Sequence, residues 1–171
     1  MRESSEVGAE AVEAVEAAAA EEANCPIKLE LSPVASRVLQ GDPGRIQQII
    51  VNLLSNAVKF TEAGEIVVRA SSTVRDDGRA EVLVSVKDTG IGIAPDAQQR
   101  LFRSFSQADE STTRRFGGTG LGLAIARGFV DVTGGMLEVD DTPGGGTTFT
   151  ITMPVTPVAP DAHAADTGAG A

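Results

Sequence analysis

GDPGRIQQIIVNLLSNAVKFT, residues 41–61, decides how the chain folds, because it holds both the strongest helical pattern and a row of polar side chains with one chemical use. Asp42 is a helix-capping residue, and Pro43 suits a first turn, where its missing N–H costs nothing. Ile46, Ile49, Ile50, Leu53, Leu54, Ala57 and Val58 recur at i, i+3, i+4 and i+7, which predicts a helix buried along one side. Asn52, Asn56 and Lys59 form a stripe away from that side. Carboxamide oxygens can ligate magnesium and an ammonium can meet a phosphate, although polar residues on the outer side of an amphipathic helix are more often simply solvated.

Downstream, IVVRASSTV (66–74) and EVLVSVKD (81–88) flank a DDGR hairpin signal, with Val82, Val84 and Val86 on one face. The second run ends at Asp88 and passes into Thr89-Gly90-Ile91-Gly92-Ile93, where glycines permit a tight turn. Pro95 and Asp96 open a short helix bearing Leu101, Phe102 and Phe105. QADESTTRRF (107–116) has no period and predicts a mobile loop. It leads into Gly117-Gly118-Thr119-Gly120-Leu121-Gly122 and the helix LAIARGFVDVT, closed by Gly134 and Gly135. GMLEVDD and TTFTITMPV form a last hairpin around the turn at 143–146.

Upstream, Ile27 to Leu31 alternates as a half-buried strand does. Residues 1–24 are rich in Ala and Glu with a thin apolar stripe, as expected of a linker or helix remnant, and the Pro/Ala/Gly tail 157–171 is expected to be disordered. That leaves one domain, 25–156. The element order predicts an α+β fold, a two-layer α/β sandwich whose mixed sheet is covered on one face by helices.

Composition narrows the function. A formal net charge of −10, no Trp and no Tyr disfavour a nucleic-acid surface. No apolar run reaches membrane-spanning length. Cys25 is the single cysteine, which excludes an internal disulfide and a thiolate zinc cluster and suits a reducing, cytoplasmic setting. The sole histidine, His163, falls in the tail.

The glycine run at 117–122 allows close backbone approach to an anion, and the helix that follows offers free N–H groups. A polar loop, not a strand, precedes it, so the dinucleotide fingerprint fits poorly, and no Lys-Ser or Lys-Thr follows it as a P-loop requires. A hinge or turn explains the glycines about as well. Asp88, at a strand end beside Gly90 and Gly92, can accept an adenine amino group in a pocket walled by residues such as Ile91, or can merely cap the turn. Gly146-Thr147-Thr148-Phe149 would place one threonine on the inner face of a strand.

Taken in order, NLLSNAVKFT, DTGIGI, LFRSFSQAD and RRFGGTGLGLAI resemble the N, G1, F and G2 boxes of the catalytic ATP-binding domain of two-component, hybrid-type sensor histidine kinases. That domain has the GHKL or Bergerat fold, and the resemblance covers about residues 27 to 155. It implies that Asn56 ligates magnesium with Asn52 in support, and that Lys59 contacts phosphate. Phe60 would lie against adenine, Asp88 would take its amino group, and Thr147 would assist through water. Gly90, Ile91 and Gly92 would shape the pocket. Gly118, Thr119, Gly120, Leu121 and Gly122 would form the hinge and phosphate-binding end of a lid over about 107–121, anchored by Phe102 and Phe105, with Arg114 and Arg115 as phosphate contacts or solvated residues.

The same resemblance implies Mg2+ and ATP as cofactors and phosphoryl transfer as the reaction. ATPases of this superfamily carry a water-activating glutamate where this chain has Asn52, which cannot act as a base, so fast hydrolysis is not expected. The family's acceptor histidine sits on a separate dimerisation domain, and no suitable histidine occurs here. The expected partners are therefore that domain, in the same parent protein or in trans, and a response-regulator receiver domain. Autophosphorylation of this chain alone is not expected. A parent kinase anchored in a membrane is compatible with a cytoplasmic catalytic domain. Two alternatives stay open: a nucleotide-dependent interaction module without transfer, and an anti-sigma-type serine kinase.

Overall fold

The computed structural model describes residues 13, 25–32, 39–40, 42–103 and 121–157. Helix α1 spans Pro43–Phe60. Asp42 is its N-cap and accepts from the Arg45 amide at 3.3 Å, and Thr61 ends it in an extended conformation (φ −115°, ψ 98°). Helix α2 spans Pro95–Arg103 and α3 spans Leu121–Val132.

Six strands form one sheet: β1 (Ile27–Leu31), β2 (Leu39–Gln40), β3 (Ile66–Val74), β4 (Ala80–Asp88), β5 (Met136–Asp141) and β6 (Thr147–Pro157). β1 and β3 are parallel, because the connection between them carries α1. β3, β4 and β6 then run antiparallel, and β5 and β2 both pair with β6. The sheet is mixed, and α1 and α3 pack side by side on one face, as the element order predicts.

Period-2 patterning decides which face. Ile66, Val68 and Ala70 of β3 and Val82, Val84 and Val86 of β4 point inward with Phe149, Ile151 and Met153 of β6. From the helices, Ile49, Ile50, Leu53 and Leu54 of α1 are wholly buried, joined by Ala126 and Val130 of α3. Val58 is only partly buried and packs at the margin of this core. On the opposite face Arg69 pairs with Glu30, and Leu83 is exposed.

Register places the site. Ile66 stands opposite Asp88, and Val86 opposite Phe149, so the last residue of β4 lies at the sheet end where β3 and β6 begin. α1 ends at the same place, since the Ile91 amide donates to the Phe60 carbonyl at 3.3 Å.

Two details depart from expectation. The two-residue strand β2 was not anticipated, being too short to show alternation, and its pairing of Leu39 with Pro157 carries β6 one residue past the expected domain boundary. Segments 1–24, 107–116 and 158–171 lie outside the described residues, apart from Glu13, and so does the Phe102 side chain. Because Leu53 is fully buried between helix and sheet, Leu53→Ala is expected to destabilise the fold by about 2–5 kcal/mol, read as a lower urea midpoint with an unchanged slope.

Candidate functional site

Asp88 is 5% exposed and ends β4. Its Oδ1 accepts two backbone bonds, from the Gly90 amide at 2.9 Å within its own turn and from the Thr147 amide at 3.3 Å at the start of β6. Among the described residues its Oδ2 receives no hydrogen bond. Burial pushes the Asp88 carboxyl above the usual aspartate range, and the two amides pull the other way. Of the two readings of Asp88 from sequence, the turn cap is seen at Oδ1, and Oδ2 is left without a hydrogen bond among the described residues.

The turn is fixed by backbone packing. A Cβ on Gly90 would stand 2.2 Å from the Phe60 carbonyl oxygen, so that position requires glycine for space. Gly146, at φ +109°, packs onto β4 from the other side, where a Cβ would lie 2.1 Å from the Asp88 carbonyl oxygen. Thr89 ties the turn to the start of β3: its hydroxyl accepts from the Glu65 amide at 2.9 Å. Gly92 adopts φ +74° and faces Gly146. Thr147 is buried, while Ile91, expected to wall the pocket, is 69% exposed and belongs to the rim.

Along α1, Asn52 and Asn56 are partly buried and Lys59 is exposed, with its Nζ 5.3 Å from the centroid of the Phe60 ring. Gln48, one turn before Asn52, donates its Nε2 to Asn52 Oδ1 at 3.0 Å, and Asn52 Nδ2 is buried without a partner among the described residues. Gly122, in the first turn of α3, lies against the same side chain, its Cβ direction 3.7 Å from Asn52 Cγ. Phe60 and Asn52 are eight residues apart, which at about 1.5 Å per residue separates the Asp88 end from the Gly122 end by about 12 Å.

The structure thus joins Phe60, Asp88, Gly90, Gly92 and Thr147 at one end of the helix and sets Gly122 against Asn52 at the other. Gly118, Thr119, Gly120, Arg114 and Arg115 lie outside the described residues, as does the Leu121 side chain. Sequence reasoning missed three participants: Gly146 as a packing glycine, Gln48 as the partner of Asn52, and Thr61, whose buried hydroxyl has no partner among the described residues and faces Gly90. The i, i+4 spacing of Gln48 and Asn52 was the available signal for one of them. Cys25 is buried, and burial, then the charge of Asp88, raise its thiol above the usual range, so it stays protonated at neutral pH.

The donor set fits a purine nucleotide with a hydrated divalent cation: a carboxylate oxygen at one end without a hydrogen bond among the described residues, an ammonium beside Phe60, and carboxamides farther along α1. No described helix is long and apolar enough to cross a membrane.

Comparison with known proteins agrees. Residues 41–157 match the family model described as histidine kinase-, DNA gyrase B-, and HSP90-like ATPase. The chain is 48% identical over 115 residues to the sensor protein GacS of Pseudomonas syringae pv. syringae, a match covering 67% of this chain and 13% of that one. Among solved structures, full-length ShkA in complex with AMPPNP superposes with a TM-score of 0.72 at 34% identity, over 92% of this chain and 32% of that one. The mycobacterial sensor histidine kinase MprB gives 0.68 at 26% identity, over 92% of this chain and 100% of that one. The chain spans only about an eighth of the curated relatives it matches. With the mixed sheet, the one-sided helix layer and the carboxylate at the end of β4, these matches make the chain a member of the histidine kinase-, DNA gyrase B- and HSP90-like ATPase family, in which it corresponds to the catalytic ATP-binding part of histidine kinases.

Proposed function

We propose that the chain binds Mg-ATP along α1 and donates its γ-phosphoryl group to a histidine on a separate dimerisation domain, in two-component signalling at the cytoplasmic side. The observation that carries this reading is the division of Asp88: Oδ1 is held by two amides, and Oδ2 is left to accept a purine amino group. Phe60 lies against the base, and Thr147, Gly90, Ile91 and Gly92 complete its surroundings. From there the phosphates run along the helix past Lys59 and Asn56 to Asn52, about 12 Å from Phe60, and the first turn of α3, a span comparable to an extended nucleoside triphosphate. Gly118, Thr119, Gly120, Leu121 and Gly122 are assigned to the phosphate-binding end on the same reading.

Magnesium, when bound, neutralises charge on the phosphates, and the Asn56 carboxamide oxygen, supported by Asn52, is the group that would hold it. Lys59 steadies the phosphates as a point charge. Asn52 has no basic atom with which to activate water, so the phosphoryl group waits for an outside nucleophile. An imidazole nitrogen then forms the P–N bond as the bond to the ADP oxygen breaks, and the imidazole proton passes to solvent.

Titration calorimetry with AMPPNP tests the site. Binding is expected to depend on magnesium and to weaken at least about tenfold in Asp88→Asn, the equivalent of one hydrogen bond to a charged group; no binding at millimolar analogue would refute the reading. Transfer is tested by adding an acceptor-histidine domain and γ-labelled ATP. Acid-labile label on the acceptor supports histidine phosphorylation. Acid-stable label would move the assignment to a serine kinase, and nucleotide binding without label would move it to an interaction module.

Stability should follow the raised Asp88 pKa in a defined direction. The folded state keeps the Asp88 proton at a pH where the unfolded chain has released it, so ionisation costs stability above the folded pKa. Asp88→Asn retains an oxygen for both amides without that charge. It is expected to be at least as stable as the parent at pH 7, and the difference should vanish as pH falls from the raised value through the ordinary aspartate value of about 3.9, measured by urea unfolding across that range.

A further inference from the structure

Among the described residues β1 pairs with β3 alone, so it forms an edge of the sheet. The Ile66 amide donates to the Pro26 carbonyl and the Ser32 amide to the Ala70 carbonyl, each at 3.0 Å. Alternate residues of a strand turn their N–H and C=O toward the same neighbour, so the even-numbered residues of β1 face β3. The backbone groups of Ile27, Leu29 and Leu31 therefore point off the edge. Their side chains stand opposite Ile66, Val68 and Ala70, on the helix side of the sheet; Ile27 and Leu29 pack against the core, and Leu31 is 42% exposed. Lys28 and Glu30 lie on the other face, in ion pairs with Glu65 and Arg69. α1 packs chiefly over β4, and α3 over β5 and β6, so both helices are set back from this edge.

Charged residues on an edge strand ordinarily keep other strands away. In β1 their order is self-complementary. We propose that β1 is a docking edge for a second copy of this chain, paired antiparallel about Leu29. Ile27 then meets Leu31 of the second copy and Leu29 meets its own counterpart, and each facing pair exchanges both backbone bonds because all these residues point outward. On the other face Lys28 meets Glu30 of the second copy. With the ion pairs already present, the row Glu65, Lys28, Glu30 of the second copy and Arg69 of the second copy alternates in sign. Charge also selects the register. Sliding one strand by two residues, the smallest slip that keeps the outward backbone groups opposite, sets Lys28 against Lys28 or Glu30 against Glu30. The pairing covers Leu31 and joins the two sheets into one, with both helix layers on the same side. Because the paired strands run in opposite directions, the two Asp88 ends lie apart, and the proposal stands independently of the nucleotide reading.

The test is sedimentation equilibrium of the full chain over a concentration series up to about 1 mM, the effective concentration that tethering two copies supplies. A monomer–dimer equilibrium is expected. Lys28→Glu and Glu30→Lys each set like charges across the seam and are expected to weaken self-association at least about tenfold. Mixed in equal amounts, the two variants should associate with one another, because every facing pair is again opposite in sign. Leu31→Pro, at an exposed residue whose N–H points outward, spares the bonds to β3 and is expected to abolish the dimer even where a charge variant frays the strand. Hydrogen exchange reads the register: protection of the Ile27, Leu29 and Leu31 amides should rise with protein concentration, while the Lys28 and Glu30 amides, already bonded to β3, should not change. A parent that stays monomeric, a dimer that survives Leu31→Pro, folded charge variants that fail to associate when mixed, or concentration-independent exchange at Ile27, Leu29 and Leu31 would overturn the proposal.

Discussion

The structure depends on a place where three backbone segments touch with no side chain between them. The Phe60 carbonyl at the end of α1 accepts the Ile91 amide, Gly90 fits beneath that carbonyl because it has no Cβ, and Gly146 closes on Asp88 from the opposite side. Only this approach lets amides from two different elements, Gly90 and Thr147, converge on one oxygen of Asp88. The arrangement also removes Asp88 from water, which raises its pKa and makes the charged carboxylate a burden on the fold. Two amide bonds offset part of that burden, and the oxygen they leave over is the one the proposed reading uses.

α1 serves the core and the site at once. Its inner side is held by Ile49, Ile50, Leu53 and Leu54, each wholly buried against the sheet and α3, so its outer stripe has little freedom to shift. Groups carried on a packed helix keep their spacing better than groups on loops. The distance between the Asp88 end and the Gly122 end is therefore set by helix geometry, and the parallel pairing of β1 with β3 fixes where the helix lies on the sheet.

Much of this was legible in the residues, for definite reasons. The helix at 43–60 and the strands at 66–74 and 80–88 follow from strong periodicity and unambiguous turn residues, and the structure reproduces them to within a residue. β2 was not legible, because two residues carry no period. Gly90 was read as a turn residue, yet it does not take a left-handed φ; close approach to Phe60 is what requires it, and contact between segments thirty residues apart leaves no local signature. The contact of Gly146 with Asp88 left no local signature either, although its φ of +109° favours glycine as well. Ile91 was expected to wall the pocket by its apolar character, but its place at the outer end of a tight turn leaves it exposed. The Gln48 to Asn52 bond was written in the i, i+4 spacing, but that spacing is so common on helices that it singles out no pair.

Charge is sorted along α1 in a way that suits one ligand and one fate for it. The chain carries a formal net charge of −10, but on the described outer face of the sheet carboxylates are paired with cations, as in Lys28 with Glu65 and Arg69 with Glu30. Asp88, the single buried carboxylate among the described residues, stands at the end that the proposed reading gives to the neutral base and its amino group. Farther along α1, where the same ligand would be polyanionic, the helix presents carboxamides, and the Lys59 ammonium stands between, beside Phe60. A carboxylate in place of Asn52 would do two things there: repel the phosphates and deprotonate water beside them. The neutral amide does neither. On the proposed reading, the site holds a phosphoryl group firmly and spends it slowly on water, which is what transfer to a nucleophile arriving from another domain demands.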